Sequence, residues 1–553
     1  MPAINDIFTQ IIDSKMTVPY IFDADKILQA EKGKKDLKKN LKDCMHYILH
    51  TIITKSDRID IIEQIKECGF IRLNATYLRD ICGDRYIDAI RLLEKNNVIE
   101  VTPGYMNNFY SKGFRLIGAY SGCETKEILL RAGGPIEKKY LVYNQEKHDK
   151  NITLLKKIPY ITKWYDKDKL KVDSQKAHDY LEFYRKKMRD QIPLDIDSLK
   201  KVQIENRITQ RYNSANRTVK SIIAGDFKLT RDGKDNRLHT TISSVKKEFR
   251  GFFTYADSAL IGIDIRASQP YLLNHLMTDI TQPHQEPELN IHNIYPELSD
   301  ILHSPIHQDQ YTIMLRTFES SRVADSNNFG SFNWTADFYK YMVDRDKIMF
   351  PNDRVFSERS KTKSDMMVIL FFTHENKYNI AYWQRFAALF LKESWVIQYF
   401  DALSRKYNQN FLPIFLQRLE SRIMLDIICK IISEELPNAP LITIHDSVLT
   451  TLDFVDDVEK IIKDSLTKIT GIVPGLKRDA ETSDEILSGL EKTAVEDYYD
   501  IFTSLSKDKA STIMNSNTPL LKKIPKWEGE VLLSTRFVDT EIETPLPEGP
   551  YNS

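Results

Sequence analysis

The chain has 553 residues, 42% of them hydrophobic, which is enough for several domains with buried cores. Its 78 basic side chains are balanced by 78 acidic ones, which excludes a wholly basic nucleic-acid coat but not nucleic-acid binding by a local cluster of charge. The sequence shows no secretory leader, no apolar stretch of membrane-spanning length and no paired cysteines with zinc spacing, so we predict a soluble, cytoplasmic protein with free thiols.

Residues 1–130 contain the pattern of a winged helix. The segment ATYLRDICGDRYIDAIRLLEKNNVIEV predicts a short helix, a turn and a second helix, and two strands are predicted at 98–101 and 109–116. Arg85 on the second helix and Lys112 on the hairpin are candidate DNA contacts, because cations on this motif reach the phosphate backbone. Winged helices also dock onto proteins, and the sequence leaves that alternative open.

Residues 131–225 are predicted to be helical and basic, with aromatic side chains between the cations. Segments such as KAHDYLEFYRKKMRDQ and SLKKVQIENRITQRYNSANRTVKSII suit a helical arm that follows the backbone of a nucleic-acid duplex. An ordinary amphipathic pair of helices has the same composition, so both interpretations stay open.

Two aspartates each follow an apolar, β-branched run. Asp264 comes after LIGI, and Asp446 comes after LITIH. Because such runs are typical of buried strands, the two carboxylates are predicted to stand at the ends of neighbouring strands. Paired carboxylates bind hard divalent cations, and two such metals are the usual apparatus of in-line phosphoryl displacement. Either aspartate alone has a simpler explanation as a turn former or a helix cap.

A third feature is a helical stripe formed by Arg359, Lys363, Met367 and Phe371. The four residues recur every four positions, so they lie along one face of a helix that begins cationic and ends apolar. That order suits a nucleoside triphosphate, whose phosphates need cations and whose base needs an apolar surface. The alternative is an amphipathic helix whose Met and Phe face the core while its cations reach solvent.

Together these features resemble the family A nucleic-acid polymerases, the group that also contains the single-subunit RNA polymerases of bacteriophages and mitochondria. The resemblance covers residues 225–470 and lies in the order of the motifs, which run RLHT at 237–240, Arg250, Asp264 with Ser268-Gln269, the Arg359–Phe371 helix, Gln417 with Glu420, and His445-Asp446. A compact member of phage or mobile-element type fits this pattern best.

The resemblance implies an α+β, mostly helical fold shaped as a right hand. An antiparallel sheet would form the palm, helices would form the fingers and thumb, and the winged-helix-like domain would precede them. The implied divisions are the N-terminal domain (1–130), a thumb-like region (131–225), palm with motif A (226–280), fingers with motif B (281–410), palm with motif C (411–500) and a partly mobile C-terminal extension (501–553). No proofreading exonuclease is predicted, because nothing before the palm resembles its compact α/β domain.

The resemblance also implies roles for the residues that would meet metal and substrate. Asp264 and Asp446 would be catalytic, and with Ile265 they would form the metal positions for two Mg²⁺ ions, or Mn²⁺ in their place. In the stripe, the two cations would bind phosphates and the two apolar side chains would lie near sugar and base. Gln269 and Tyr271 complete the implied substrate set, and one of them would be the steric gate against a 2′-hydroxyl.

A further implied set contacts nucleic acid. Arg237 would touch the duplex backbone or minor groove, and Gln417 would lie beside it on the duplex. Arg250 would have either a structural or a phosphate-binding role. His445 would support the primer terminus, with general acid as the alternative, whereas His239 is interpreted more readily as a structural histidine.

The chain departs from the family pattern at three places, and Glu420 has alternative roles. Ser447 follows the second aspartate where the family has a glutamate, and the segment between Asp264 and Ser268 is longer by two residues. Phe371 replaces a tyrosine that reads the 2′-hydroxyl in RNA-making members, which favours DNA synthesis. Glu420 lies beside an apolar helix face and is interpreted as structural, with sugar positioning or an arginine pair as alternatives.

The predicted function is template-directed nucleotidyl transfer, with a DNA polymerase that adds dNTPs to a primer 3′-hydroxyl as the leading hypothesis. Its partners would be primer-template DNA and nucleoside triphosphates, with no membrane. The alternatives are an RNA polymerase or primase, a template-independent nucleotide polymerase linked to defence, and a catalytically inactive winged-helix replication protein that binds DNA.

Overall fold

The structure, a computed structural model of the chain, describes most of the sequence up to residue 479. The described residues are 14–31, 34–56, 70–102, 112–190, 192, 198–231, 233–243, 245, 247–279, 289–309, 311–312, 329–372 and 375–479.

Most of the described residues are helical, and every pair of described strands is antiparallel. The helices are α1 (Ala24–Gln29), α2 (Lys35–Ser56), α3 (Ala75–Cys82), α4 (Tyr86–Lys95), α5 (Pro135–Leu155), α6 (Pro159–Thr162), α7 (Ser174–Asp190), α8 (Ser198–Ile223), α9 (Ser268–Asp279), α10 (Ile291–Ile294), α11 (Pro296–Leu302), α12 (Phe338–Met349), α13 (Arg359–Phe371), α14 (Ala381–Leu389), α15 (Leu391–Tyr407), α16 (Phe411–Ser421), α17 (Cys429–Glu435) and α18 (Val455–Thr470). A π-helical segment, Arg422–Ile428, joins α16 to α17. The strands are β1 (Lys15–Pro19), β2 (Ile71–Arg72), β3 (Ile99–Val101), β4 (Gly113–Leu116), β5 (Thr125–Leu129), β6 (Leu170–Val172), β7 (Phe253–Tyr255), β8 (Ser258–Ile265), β9 (Ile442–Ile444), β10 (Ser447–Thr451) and β11 (Leu476–Asp479).

The N-terminal part packs helices against a small sheet. Its chain order is α2, β2, α3, α4, β3 and β4, and the sheet order is β2-β4-β3. The side chain of Asn74 caps the start of α3, and Gly83 ends it with a φ of 61°, which suits a residue without a Cβ. The core of this part extends past residue 130, because Ile136 and Tyr143 of α5 pack against it.

The larger sheet is built around β8, which pairs with β7, β10 and β11. Its order is β6-β7-β8-β10-β9, with β11 joined to β8. The strands read SALIGIDI in β8 and SVLTT in β10, and all five residues of β10 are buried. A slip of one residue would turn these core side chains to the opposite face, so burial fixes the register that aligns Leu260–Asp264 with β10.

α18 covers one side of this sheet, where it contacts β8 and β10. Val455, Val458, Ile462 and Leu466 recur at three- and four-residue spacing and are all buried, so one face of the helix enters the core. The helix ends at Gly471, whose φ of 69° is readily adopted by glycine. The helical run from α16 to α17 also contacts α18 through the π-helical segment.

The structure differs from the predicted divisions in two places. β6 lies inside the stretch predicted to be entirely helical, 131–225, and pairs with β7 of the larger sheet. The N-terminal core continues into α5, beyond the predicted boundary at 130. Both contacts join residues that are distant in sequence, and a local pattern does not reveal them. The predicted strand at 109–116 is described only over Gly113–Leu116, and the predicted extension at 501–553 lies outside the described residues.

Among the residues that the structure describes, no helix is both long enough and apolar enough to cross a membrane. Cys44, Cys82, Cys123 and Cys429 are free thiols, and Cys68 lies outside the described residues.

Candidate active site

A cavity of about 800 Å³ opens where β8, the β9–β10 turn, α13 and α16 come together, and we call it the central cavity. Its volume is in the range of small-molecule and cofactor sites. It brings together both predicted catalytic aspartates, all four residues of the stripe and several predicted nucleic-acid contacts. The lining residues are Arg237, Asp264, Ile265, Arg266, Ala267, Ser268, Gln269, Asp337, Phe338, Tyr339, Arg359, Lys363, Met367, Phe371, Gln417, Glu420, His445, Asp446 and Lys477.

The register of β8 and β10 brings Asp264 and Asp446 together. Ser447, the first residue of β10, is the Cα partner of Asp264, and Asp446 precedes it in a two-residue turn with His445. Both aspartates are half-buried and line the central cavity. The two predicted catalytic carboxylates therefore reach the same cavity from neighbouring strands.

The backbone around the central cavity is strained at three positions. His445 has a φ of 55°, Ala267 of 49° and Asn236 of 56°, all in the left-handed region that non-glycine residues rarely adopt. They are three of the seven such residues in the described part of the chain, so the strain concentrates here. Each such residue costs on the order of 1 kcal/mol and persists only where its surroundings impose it, which is a pattern frequent at functional sites.

The donors in the central cavity suit a divalent cation that also binds substrate. Within the described ranges, no group of three or more His, Cys, Asp or Glu side chains is placed to hold a metal by itself. Asp264 and Asp446 supply two carboxylates, and Ile265 lines the cavity beside the first of them. Mg²⁺ binds through one or two protein carboxylates and takes its other ligands from phosphate and water, so this sparse donor set fits it.

Tyr339 lines the central cavity beside both aspartates. Burial raises the pKa of its phenol; of the nearby charges, Arg359 lowers that pKa, and Asp446, Asp337 and Asp264 raise it.

The stripe on α13 faces the central cavity along its whole length. Lys363 is exposed, whereas Met367 and Phe371 are half-buried. Arg359 Nε lies 2.5 Å from Asp337 Oδ2. Burial acts to raise the pKa of Asp337, but the hydrogen bonds from Arg359 and from a backbone amide lower it overall, so this residue is a carboxylate that holds the guanidinium.

The first turn of α13 has an unfavourable charge pattern for a helix. It contains Arg359 and Lys361 and no acidic residue. Cations near the positive end of the helix dipole destabilise a helix by a few tenths of a kcal/mol each, roughly. The Asp337 carboxylate, which pairs with Arg359, offsets part of that effect.

A buried ion pair anchors the chain that leads to Arg237. Arg231 Nη1 and Nη2 each donate to one carboxylate oxygen of Asp426, both at 2.7 Å, and Arg231 Nε donates to Asn236 O at 3.0 Å. Asp426 belongs to the π-helical segment. π-helical segments are rare in proteins, and those that occur are often found at functional sites.

The Arg237 loop, residues 233–237, is held from α16 as well. Arg418 Nε donates to Lys234 O at 2.7 Å, and Ser421 Oγ donates to Asn236 O at 2.5 Å. These bonds fix the backbone next to Arg237, including its strained neighbour.

Glu420 lies between two predicted site residues and is only 1% exposed. Its Oε1 is 2.6 Å from Arg237 Nη2, and its Oε2 accepts a hydrogen bond from Gln269 Nε2 at 2.5 Å. Burial, followed by the charge of Asp446, acts to raise the pKa of Glu420, whereas the Arg237 guanidinium and the Gln269 amide favour its charged form. Of the alternatives that the sequence left open, the structure gives the pair with an arginine.

His445 is neutral at neutral pH. Burial first, then the charges of Arg237 and His239, lower the pKa of its imidazole to about 4. A neutral ring suits a positioning role better than the role of a general acid. His239 is half-buried, with Nε2 3.2 Å from Asp235 Oδ2, and its ring meets that of His445 edge-on at 5.8 Å between centroids.

Several predicted site residues do not line the central cavity. Arg250 is half-buried in the 3₁₀ turn before β7, and Arg85 and Lys112 are exposed in the N-terminal part. The assignment of Tyr271 to substrate is corrected by its position. Its ring is buried, and its hydroxyl donates to Ile472 O at 2.9 Å and lies 2.7 Å from Thr470 Oγ1.

Replacing Tyr271 by phenylalanine is therefore expected to lower the free energy of unfolding by about 1–2 kcal/mol, because the buried ring loses the hydroxyl that bonds to Ile472 O and Thr470 Oγ1. Sugar selection by the active protein is expected to stay unchanged. Denaturant unfolding and a comparison of dNTP and NTP incorporation would check both halves, and altered sugar selection would reinstate Tyr271 as a gate.

Several residues of the central cavity received no role from the sequence, among them Lys477, Tyr339 and Arg266. Lys477 is the Cα partner of Asp264 on β11, although it is remote from that aspartate in the chain. Tyr339 belongs to α12, which carries no recognised motif. Arg266 donates from its backbone amide to Gly475 O at 2.8 Å. Only glycine fits at 475, because a Cβ there would lie 2.5 Å from Trp334 O. In the sequence, this glycine is the one signal for the close approach of β11.

Comparisons with known proteins leave the family open. No family model matches the chain, and no curated protein matches it. Among solved structures it is similar to the POL domain of Pol1 from M. smegmatis, solved in complex with DNA primer-template and dNTP, with 10% identity over 65% of this chain and 77% of that chain and a TM-score of 0.29. A similarity this distant assigns neither family nor function, so the central cavity has to be interpreted from its own residues.

Proposed function

We propose that the chain is a nucleotidyltransferase that adds dNTPs to the 3′-hydroxyl of a nucleic-acid primer under the direction of a template. One observation carries the proposal. A single cavity contains two carboxylates from neighbouring strands together with a helix face that begins with Arg359 and Lys363. Carboxylates for metal and cations for phosphate are the two requirements of phosphoryl transfer from a triphosphate.

Asp264 and Asp446, with Ile265 beside them, would hold two Mg²⁺ ions, or Mn²⁺ in their place. Bound there, the metals would supply activation of the 3′-hydroxyl and stabilisation of the leaving pyrophosphate. The protein fixes the two carboxylates by the register of β8 and β10 and by the strained turn at His445. The Ser447 hydroxyl is buried and has no hydrogen-bond partner among the described residues.

The triphosphate would lie along the first half of α13. Arg359 is oriented by Asp337, and Lys363 extends into the cavity one turn further on. The N-terminal end of the helix adds its own partial positive charge. Met367 and Phe371, further along the same face, would lie near sugar and base.

Replacing Lys363 by alanine is expected to lower kcat/KM for the nucleotide by about 10- to 100-fold, since a hydrogen bond to a charged group contributes about 1.5–3 kcal/mol. Steady-state kinetics with varied nucleotide would measure the change. Lys361→Ala is the matched control, because Lys361 is exposed and does not line the central cavity. Equal losses in both variants would contradict a specific phosphate contact.

Choice of sugar would fall to Gln269. It lines the central cavity in the first turn of α9, and its amide is held in place by Glu420. Phe371 has no hydroxyl with which to recognise a 2′-OH. These two features favour dNTPs over NTPs.

The primer-template would lie against Arg237, Gln417 and His445, which share the cavity with the carboxylates. Arg237 lines the cavity, so its guanidinium would contact nucleic acid there. Outside the cavity, α7 and α8 remain candidates for contact with the duplex backbone, and the roles predicted for His239 and Arg250 remain proposals.

The right-hand assignment follows from these roles. The larger sheet would be the palm, α12 to α15 the fingers, and α7 with α8 the thumb. In the N-terminal part, the order of helices and strands and the β2-β4-β3 sheet support a winged helix. Three of its arginines are already paired with acids, Arg79 with Asp84, Arg91 with Asp88 and Arg115 with Glu100, which leaves Arg85 and Lys112 as its DNA-contact candidates.

The test is single-nucleotide addition to a labelled primer on four templates that differ only in the first unpaired base. The proposal predicts that each template selects its complementary dNTP and that a chelator stops the reaction. Addition that ignores the template would favour a template-independent polymerase, and addition of NTPs alone would favour an RNA polymerase. The absence of any addition would favour a DNA-binding protein without catalysis.

A further inference from the structure

Two side chains with separate roles in the proposed function share one buried partner. Gln269 is assigned to the nucleotide sugar and Arg237 to the primer terminus. Both contact the carboxylate of Glu420, one oxygen each, at 2.5 Å and 2.6 Å. Glu420 is 1% exposed, so solvent does not compete for these contacts.

The chemistry of the triad requires a carboxylate at this position. Gln269 approaches through its Nε2 and Arg237 through Nη2, so both partners are donors. A carboxylate meets both, with Oε2 as the hydrogen-bond acceptor for Gln269 and Oε1 as the ion-pair partner of Arg237, whereas an amide would offer one acceptor and one donor and would oppose one of the two neighbours. A buried carboxylate is costly unless it is paired in this way.

The contacts also fix the orientation of both side chains. Gln269 and Arg237 line the central cavity, and their Nε2 and Nη2 atoms are held by Glu420. Neither group can rotate without breaking a buried contact. Each side chain is therefore held in one orientation at the wall of the cavity.

The backbone at these positions does not depend on Glu420. Ser421 and Arg418 bond to carbonyl oxygens of the Arg237 loop, and Gln269 lies in the first turn of α9. Loss of the carboxylate would thus release two side chains while the surrounding fold stays in place.

We propose that Glu420 is a positioning residue that holds Gln269 and Arg237 in one arrangement, so that selection of the nucleotide sugar and acceptance of the primer terminus are coupled through it. The inference rests on the proposed function. Glu420 itself would touch neither substrate, and its effect would be transmitted through its two partners.

The test is an exchange of the two side chains. The proteins compared are full-length wild type, Glu420→Gln, Gln269→Glu and the double exchange. The first readout is the ratio of kcat/KM for dNTP to that for NTP. The second is the ratio of extension from a mismatched primer terminus to extension from a matched one. Glu420→Gln sets an amide donor against one of the two donors, and Gln269→Glu sets two carboxylates against each other, so each is expected to change both ratios about tenfold, the scale expected for a small misplacement of a site residue. The double exchange restores a donor against an acceptor and leaves one amide oxygen for Arg237, so both ratios should return to within about threefold of wild type.

Glu434→Gln is the control, because Glu434 is an exposed glutamate on α17 and should change neither ratio. If the single variants keep both ratios, or if the double exchange is as poor as the worse single variant, the coupling is overturned while wild-type extension still supports the proposed function. If wild type extends no primer, the proposed function fails and this inference fails with it.

Discussion

Replacing Asp446 by asparagine is expected to slow Mg²⁺-dependent nucleotide addition by about a thousandfold or more, which corresponds to about 4 kcal/mol of transition-state stabilisation. Asparagine keeps the shape of the side chain and removes its charge, so the loss would report on metal binding. The residue occupies a two-residue turn at the edge of the central cavity, where the substitution disturbs little packing. Single-turnover addition of one nucleotide at saturating Mg²⁺ would measure the rate.

Asp453→Asn is the matched control for this variant. Asp453 is exposed and follows β10, so it shares the neighbourhood in sequence but does not line the central cavity. Its rate should equal that of wild type. A rate for Asp446→Asn within about tenfold of wild type would mean that Asp446 is not a metal ligand in the reaction.

Replacing Asp426 by alanine is expected to lower the free energy of unfolding by about 3 kcal/mol, because it leaves the Arg231 guanidinium buried without its bidentate partner. The side chain of Arg231 is only 9% exposed, so solvent cannot replace the carboxylate. The Arg237 loop should lose its anchor at the same time, with a fall in primer extension. Denaturant unfolding and the extension assay would measure the two effects.

Two comparisons isolate the ion pair as the cause. Asp464→Ala, at an exposed position of α18, should leave unfolding within about 0.5 kcal/mol of wild type. Arg231→Ala combined with Asp426→Ala should be no less stable than Asp426→Ala alone, since the buried guanidinium is removed too and Arg422, the other partner of Asp426, is 37% exposed to solvent. Full additivity of the two single losses would show that the residues act separately.

The features that lie on one continuous segment could be predicted from the sequence. The apolar runs before Asp264 and Asp446 form neighbouring strands, and the four-residue spacing of the stripe places Lys363 and Phe371 on one helix face. Each of these depends on a local periodicity, which a sequence displays directly.

Features that depend on long-range pairing could not be predicted. Lys477 reaches the site only because β11 pairs with β8, and Glu420 acquires its role from side chains on two other segments. The error at Tyr271 has a geometric cause. It lies two residues beyond Gln269 on α9, about 200° around the helix, so the two side chains cannot face the same cavity.

The most direct measurement of the central claim is extension of a labelled primer on a template by wild type, Asp264→Ala and Asp446→Ala, with dNTPs and NTPs offered separately. The two-metal account predicts extension with dNTPs by wild type and none above background by either alanine variant. Alanine variants that extend as well as wild type, or a wild-type protein that incorporates neither kind of nucleotide, would contradict it.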